Sequence, residues 1–199
     1  MKKLRKYKNA INTIIRRIED PELKKLTNEV CFIVERRDMR NNFFGSRPVL
    51  KVKKGDKYAI AINPMMFYNP YLKARAQKDI IHELCHIFYG HTNFKEREEL
   101  AKEWGVDKVD IEMGVEIQAN SHPYADYPLY GKNRFFHHEF YGLSAHDSIK
   151  DYALAVNKKK KQDSKLGDFL KDTKTNRYTR IITYVCNLED YEIREEYVV

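Results

Sequence analysis

Apolar residues recur at three- and four-residue steps along the first part of the chain, at Leu4, Tyr7, Ile11, Ile14, Ile15 and Ile18. Polar and basic residues fill the positions between, a period that predicts an amphipathic helix over about 3–19. Asp20-Pro21 marks a stop and a restart, because Asp caps a helix and Pro fits its first turn. A second helix is expected over about 21–35, and the polar stretch from Arg37 to Arg47 reads as a loop. The period then changes. Val49-Leu50-Lys51-Val52-Lys53 and Tyr58-Ala59-Ile60-Ala61-Ile62-Asn63 flank Lys54-Gly55-Asp56, which predicts a β-hairpin.

Asn69-Pro70 opens a further helix, with Leu72, Ala76, Ile80, Leu84 and Ile87 as its apolar stripe and Gly90 where a C-terminal cap belongs. Another helix is expected from Asp107 to Ser121, ended by Pro123. The chain from there to Gly142 is rich in Tyr, His, Pro and Gly and reads as an ordered loop. Ser144 is the expected cap of a helix through Val156, and Asn157 to Ser164 reads as a solvated linker. Two strands are expected at Arg180–Cys186 and Tyr191–Val199. The expected organisation is an N-terminal helical segment over 1–48, a core over 49–156, and a basic linker with a C-terminal β-hairpin packed on that core over 157–199.

Composition narrows the class. The chain has 199 residues, 42% of them hydrophobic and 13% aromatic, enough for a core and too apolar for a disordered chain. No apolar run reaches membrane-spanning length, so no membrane association is expected. Cys31, Cys85 and Cys186 are odd in number and widely spaced, giving neither a disulfide framework nor a zinc knuckle. The basic N-terminus lacks the apolar stretch of a signal sequence. A reducing, cytoplasmic setting is expected. Net charge is +8 and unevenly spread: residues 1–17 carry seven Lys/Arg and no acid, and 158–180 carry nine against three Asp. Those basic segments could attract nucleic acid or an acidic partner, although no recognisable nucleic-acid motif accompanies them.

His82-Glu83-Leu84-Cys85-His86 is the segment that carries chemistry. Two His at i and i+4 project from one helix face, so both imidazoles can bind a single Zn²⁺. Glu83, next to the first His, is placed to take a proton from a water that the metal activates. A catalytic zinc needs a third protein ligand, and the best candidate is Glu116. On a helix Glu112, Glu116 and Asn120 share one face, which would let Glu116 take the metal while Asn120 hydrogen-bonds a liganding His. His91, Glu112 and His122 stay open as alternatives; His91 reads mainly as a structural residue or one that supports a ligand, although the break at Gly90 could fold it back toward the metal. His122, His137, His138 and His146, with Tyr124, Tyr127, Tyr130 and Tyr141, lie in or near the loop expected to frame the cleft. Oxyanion stabilisation would come from a group of this kind, and the sequence does not select one. Cys85 reads as a small core residue.

The run from His82 to His91, His-Glu-Leu-Cys-His-Ile-Phe-Tyr-Gly-His, resembles the zincin metallopeptidases. It is most similar to the metallopeptidase domain of bacteria and phages found beside von Willebrand A-like domains. Tyr58-Ala-Ile-Ala-Ile-Asn63-Pro64 resembles the strand ahead of that family's zinc helix, and Tyr141-Gly-Leu-Ser144-Ala-His-Asp-Ser-Ile149 resembles the segment after its active site. Glu116-Ile-Gln-Ala-Asn120 stands where the family has an acid, usually Asp, then three residues and Asn. A weaker resemblance is to the ImmA/IrrE-type peptidases, which Glu116, Ala119 and Asn120 fit, with His122-Pro123 in place of their Phe-Ala continuation. The resemblance covers about residues 49–154. It implies an α+β, zincin-like fold in which a small antiparallel sheet or hairpin packs on an active-site helix and a second ligand-bearing helix. It also implies a zinc peptidase acting on a protein or peptide, with His82, His86 and Glu116 on the metal and Glu83 as general base. The rival expectation is a catalytically silent zincin-fold module that binds a protein or nucleic acid through its basic ends.

Overall fold

A computed structural model of the chain describes residues 2–34, 47–49, 58–62, 68, 70–91, 97–125 and 131–171. These fall in two compact units that part between Thr92 and Asn93. The described residues are mostly helical, and no helix among them is long and apolar enough to cross a membrane. The strands expected near the C-terminus and most of the 37–47 loop lie outside the described residues.

In the first unit α1, Lys2–Arg16, buries Tyr7 and Ile11, and Ile18 just beyond its end is buried as well. The Tyr7 hydroxyl meets that of Tyr68 at 3.0 Å. Asp20 caps α2, Pro21–Leu26, its carboxylate accepting from the Glu22 and Leu23 amides at 2.9 Å, and Pro21 sits in the first turn where a missing N–H costs nothing. The expected helix over 21–35 stops there: Val30–Val34 is a strand, β1. The physical reason is local. Val30-Cys31-Phe32-Ile33-Val34 is a short apolar run with three β-branched residues, which lose side-chain freedom in a helix and fit a buried strand.

β2 is Arg47–Val49 and β3 is Tyr58–Ile62. The sheet order is β1-β3-β2, with β3 central. β3 runs antiparallel to β2 and parallel to β1, where Val30 stands opposite Tyr58 and Val34 opposite Ile62. The described strands therefore form a mixed sheet; a small antiparallel sheet or hairpin was expected, and only the β2–β3 pair is antiparallel. Ile60 and Ile62 alternate along β3 and are fully buried. Helix α3, Pro70–Phe88, packs on α2, β2 and β3, with Ile80, Ile81 and Leu84 buried.

The first helix described in the second unit is α4, Arg97–Trp104, which has no counterpart among the expected elements. Its acids, Glu98 and Glu99, lie in the first turn and Lys102 in the last, the arrangement that complements the helix dipole. Gly105, at φ +65°, ends it. Helix α5, Lys108–Ser121, packs closely on α6, Ile149–Gln162; a Cβ on Gly114 would stand 3.1 Å from Tyr152 Cβ. Two 3₁₀ turns, Gly131–Phe136 and His138–Tyr141, bridge part of the loop expected between these helices.

α6 differs from expectation at both ends. Its cap is Ser148, whose hydroxyl accepts from the Asp151 amide, and not Ser144. The run Asn157 to Gln162, expected as linker, continues the helix, and α7, Ser164–Lys171, follows at once. Lysines are good helix formers, their charge suits a helix C-terminus, and Lys160 is neutralised by Asp107 and Asp110 of the α5 start at 2.6 Å. Met113, Ile117, Phe135, Tyr152, Val156, Leu166, Phe169 and Leu170 form the main core of this unit.

Candidate metal centre

One buried turn of α3 carries His82, Glu83 and His86. The helical i, i+4 relation stacks the two imidazoles along one face. Their Nε2 atoms are 3.0 Å apart, with ring planes at 85° and centroids 4.6 Å apart. Two neutral imidazoles can face each other in this way only if one nitrogen carries the proton; a cation between them uses both lone pairs. Two nitrogens bound at about 2.0–2.1 Å to a tetrahedral Zn²⁺ stand roughly 3.3 Å apart, so this pair fits a shared ion with little adjustment.

The end of α3 brings in a third histidine. Gly90, at φ +70°, turns the chain left-handed, with its N–H donating to the Ile87 carbonyl at 3.0 Å and the His91 N–H to the His86 carbonyl at 2.8 Å. That cap folds His91 back, so that its Nδ1 lies 3.1 Å from Nδ1 of His86, and Tyr89 stacks on its ring at 5.7 Å. Nδ1 and Nε2 are on different edges of an imidazole. His91 therefore meets His86 away from the edge that faces His82, the place of a residue that orients a ligand. Asp79, one turn before His82, is also buried, a feature visible in the sequence only as a spacing of three residues.

Cys85 is fully buried on the same helix. Burial first, then the nearby charges of Asp20 and Glu83, push its thiol far above the ordinary value, so it stays protonated. It is a core residue, as its sequence position implied.

In the second unit α5 carries Glu116, half-buried, with Glu112 and Asn120 buried one turn to either side. The Asn120 amide donates to the Phe136 carbonyl at 3.3 Å and so fixes the first 3₁₀ turn to the helix. His122 follows the last turn of α5, and its Nδ1 accepts from the Tyr124 amide at 3.4 Å. Of the aromatic groups considered for an oxyanion, Tyr141 donates to the Phe135 carbonyl at 2.9 Å, and burial pushes its hydroxyl well above the usual range. His146 is exposed, and Tyr127 and Tyr130 lie outside the described residues. His138 is held below the ordinary imidazole value by burial and by the neighbouring His137.

The sequence singled out His82, Glu83, His86 and Glu116, and the structure brings the first three together on α3 and sets the fourth midway along α5. Sequence reasoning treated His137 and His138 singly and missed their grouping with Glu139, which depends on the 3₁₀ turns and leaves no periodic signal. Compared with known proteins, the chain matches no family model, and no curated protein or solved structure is significantly similar to it.

Proposed function

We propose that the protein is a zinc-dependent peptidase with a zincin-like fold, in which His82, His86 and Glu116 hold the ion and Glu83 is the general base. The observation that carries this reading is the 3.0 Å approach of His82 Nε2 to His86 Nε2, with Glu83 on the same buried turn. Two imidazoles and a carboxylate from His82, His86 and Glu116 are a donor set able to hold a metal, and one that suits zinc while leaving a position for substrate. The bound ion would supply Lewis acidity to a water and to the scissile carbonyl.

The chain's own residues do the rest. Glu83 takes a proton from the attacking water and delivers it to the leaving amine. Its burial limits competing solvent and strengthens its interaction with developing charge. His91 holds the His86 ring in one orientation through Nδ1. For an extended peptide docking by strand addition, β2 is the edge of the β2–β3 pair among the described strands, since β3 has neighbours on both sides. Free Cys31 and Cys85 suit a reducing compartment, and the reading places the enzyme in the cytoplasm.

The test is peptidase activity of the zinc-loaded protein beside Glu83→Gln, which keeps the size of the side chain and removes the base. A loss of about 10²-fold or more is expected with zinc content unchanged. Equal rates would defeat the assignment. The second reading, a silent module that binds nucleic acid or an acidic protein, draws on the exposed Arg5, Lys6, Lys8, Arg16 and Arg17 of the N-terminal segment. Binding that weakens steeply with salt, with no cleavage of any peptide pool, would favour it.

A further inference from the structure

We propose that His137, His138 and Glu139 form a second metal site, selective for a borderline divalent ion such as Zn²⁺, Cu²⁺ or Ni²⁺ and built wholly within the second unit. One ligand atom from each of the three lies within 4.8 Å of the others. His137 joins the two 3₁₀ turns with an extended backbone, φ −116° and ψ 131°. Consecutive side chains on a regular helix would fan apart by about 100°. Here the two imidazoles stack instead, with centroids 4.7 Å apart and planes at 23°.

Two further observations point to a ligand. His137 Nδ1 and His138 Nδ1 are both buried, and neither has a hydrogen-bond partner among the described residues. Buried ring nitrogens are ordinarily satisfied, and leaving two of them bare on adjacent residues is costly. The lone pairs lie in the ring planes, so one ring turning out of the stack would let a single cation satisfy both. His137 Nδ1 also stands 4.0 Å from Glu139 Oε2, beyond hydrogen-bond reach yet within the span of two donors each about 2.1 Å from a common ion.

The surroundings hold the group in place and leave it open. Gly142, at φ +70°, closes the second 3₁₀ turn by donating to the Glu139 carbonyl at 3.0 Å, and the Leu143 amide returns to the His138 carbonyl at 3.2 Å. Phe140 and Tyr141 pack against the core of the unit and anchor the turn from the other side. Glu139 is exposed, which gives the ion a path from solvent and a negative charge to meet it. Two imidazoles with one carboxylate favour Zn²⁺, Cu²⁺ or Ni²⁺ over Mg²⁺ and Ca²⁺, which prefer oxygen alone. None of these ligands belongs to the α3 pair, so this site stands whether or not the peptidase reading holds.

The experiment measures Zn²⁺ binding to the full, tag-free chain carrying His82→Ala and His86→Ala, with circular dichroism to confirm the fold. One bound ion is expected, lost on adding His137→Ala and His138→Ala and weakened at least about tenfold by Glu139→Gln. The Cu²⁺-loaded form should show electron paramagnetic resonance coupling to two imidazole nitrogens. No bound ion in the folded His82/His86 variant would overturn the site, as would binding untouched by the His137/His138 substitutions. Should the His82/His86 variant lose its fold, the wild type is compared with His137→Ala/His138→Ala alone: loss of one equivalent is expected, and an unchanged count would overturn the site.

Discussion

His91 Nδ1 stands 3.1 Å from Nδ1 of His86, while Nε2 of that same ring faces His82 at 3.0 Å. One imidazole is thus engaged on both edges. A hydrogen bond on the non-liganding nitrogen sets which tautomer a histidine adopts and how its ring is held. Replacing His91 with Ala should lower zinc affinity by about 10–100-fold, and His91→Asn, which keeps a polar partner, by less. Competition against a chelating dye reads this out. An unchanged affinity in His91→Ala would reduce His91 to a packing role.

Lys160 is the counter-charge for two acids at the start of α5. Its ammonium lies 2.6 Å from Asp107 and 2.6–2.7 Å from both oxygens of Asp110, which is fully buried. Lys160→Met leaves the Asp110 carboxylate buried without its cation. At neutral pH this should cost about 3 kcal/mol, the low end for such a loss because Asp107 remains 74% exposed.

The cost should shrink in acid. Burial holds the Asp110 carboxyl above its usual range despite Lys160, so it is among the first to take a proton as pH falls, and the protonated acid no longer needs an ammonium. Asp107 is held below its usual range by Lys160; the stability it contributes is present above its unfolded value and lost as pH falls through the folded one. Both signs agree. Urea unfolding of wild type and Lys160→Met at neutral pH and in acid checks this, and a pH-independent gap would contradict it.

Gly114 is where α5 and α6 approach most tightly. A methyl there would stand 3.1 Å from Tyr152 Cβ and 3.2 Å from the Ala153 nitrogen, atoms fixed by the α6 backbone. Ala gains about 1 kcal/mol of helix propensity over Gly, whereas overpacking costs about 1–3 kcal/mol. With no flexible side-chain end to yield, the clash should win, and Gly114→Ala should melt lower than wild type. A melting temperature equal to or above wild type would mean that the helices part without penalty.

How far the sequence was legible follows from how local each signal is. α3 and α5 announce themselves through long apolar periods with clear stops at Gly90 and Pro123, and the approach of His82 to His86 needs nothing beyond a regular helix. β1 did not, because a five-residue apolar run satisfies either a strand or a buried helix turn. The lysine run at the end of α6 looked like linker because its support comes from Asp107 and Asp110, about fifty residues away. The return of His91 to His86 depends on one positive φ at Gly90, and the stacking of His137 on His138 on a backbone with no period. Charge and spacing revealed neither contact.

Anomalous diffraction at the zinc absorption edge, from crystals of the full chain grown with Zn²⁺, bears most directly on the proposed peptidase centre. A peak bounded by Nε2 of His82, Nε2 of His86 and a carboxylate oxygen of Glu116 is the expected result. No peak between the two histidines, or one completed by a residue other than Glu116, would contradict the assignment.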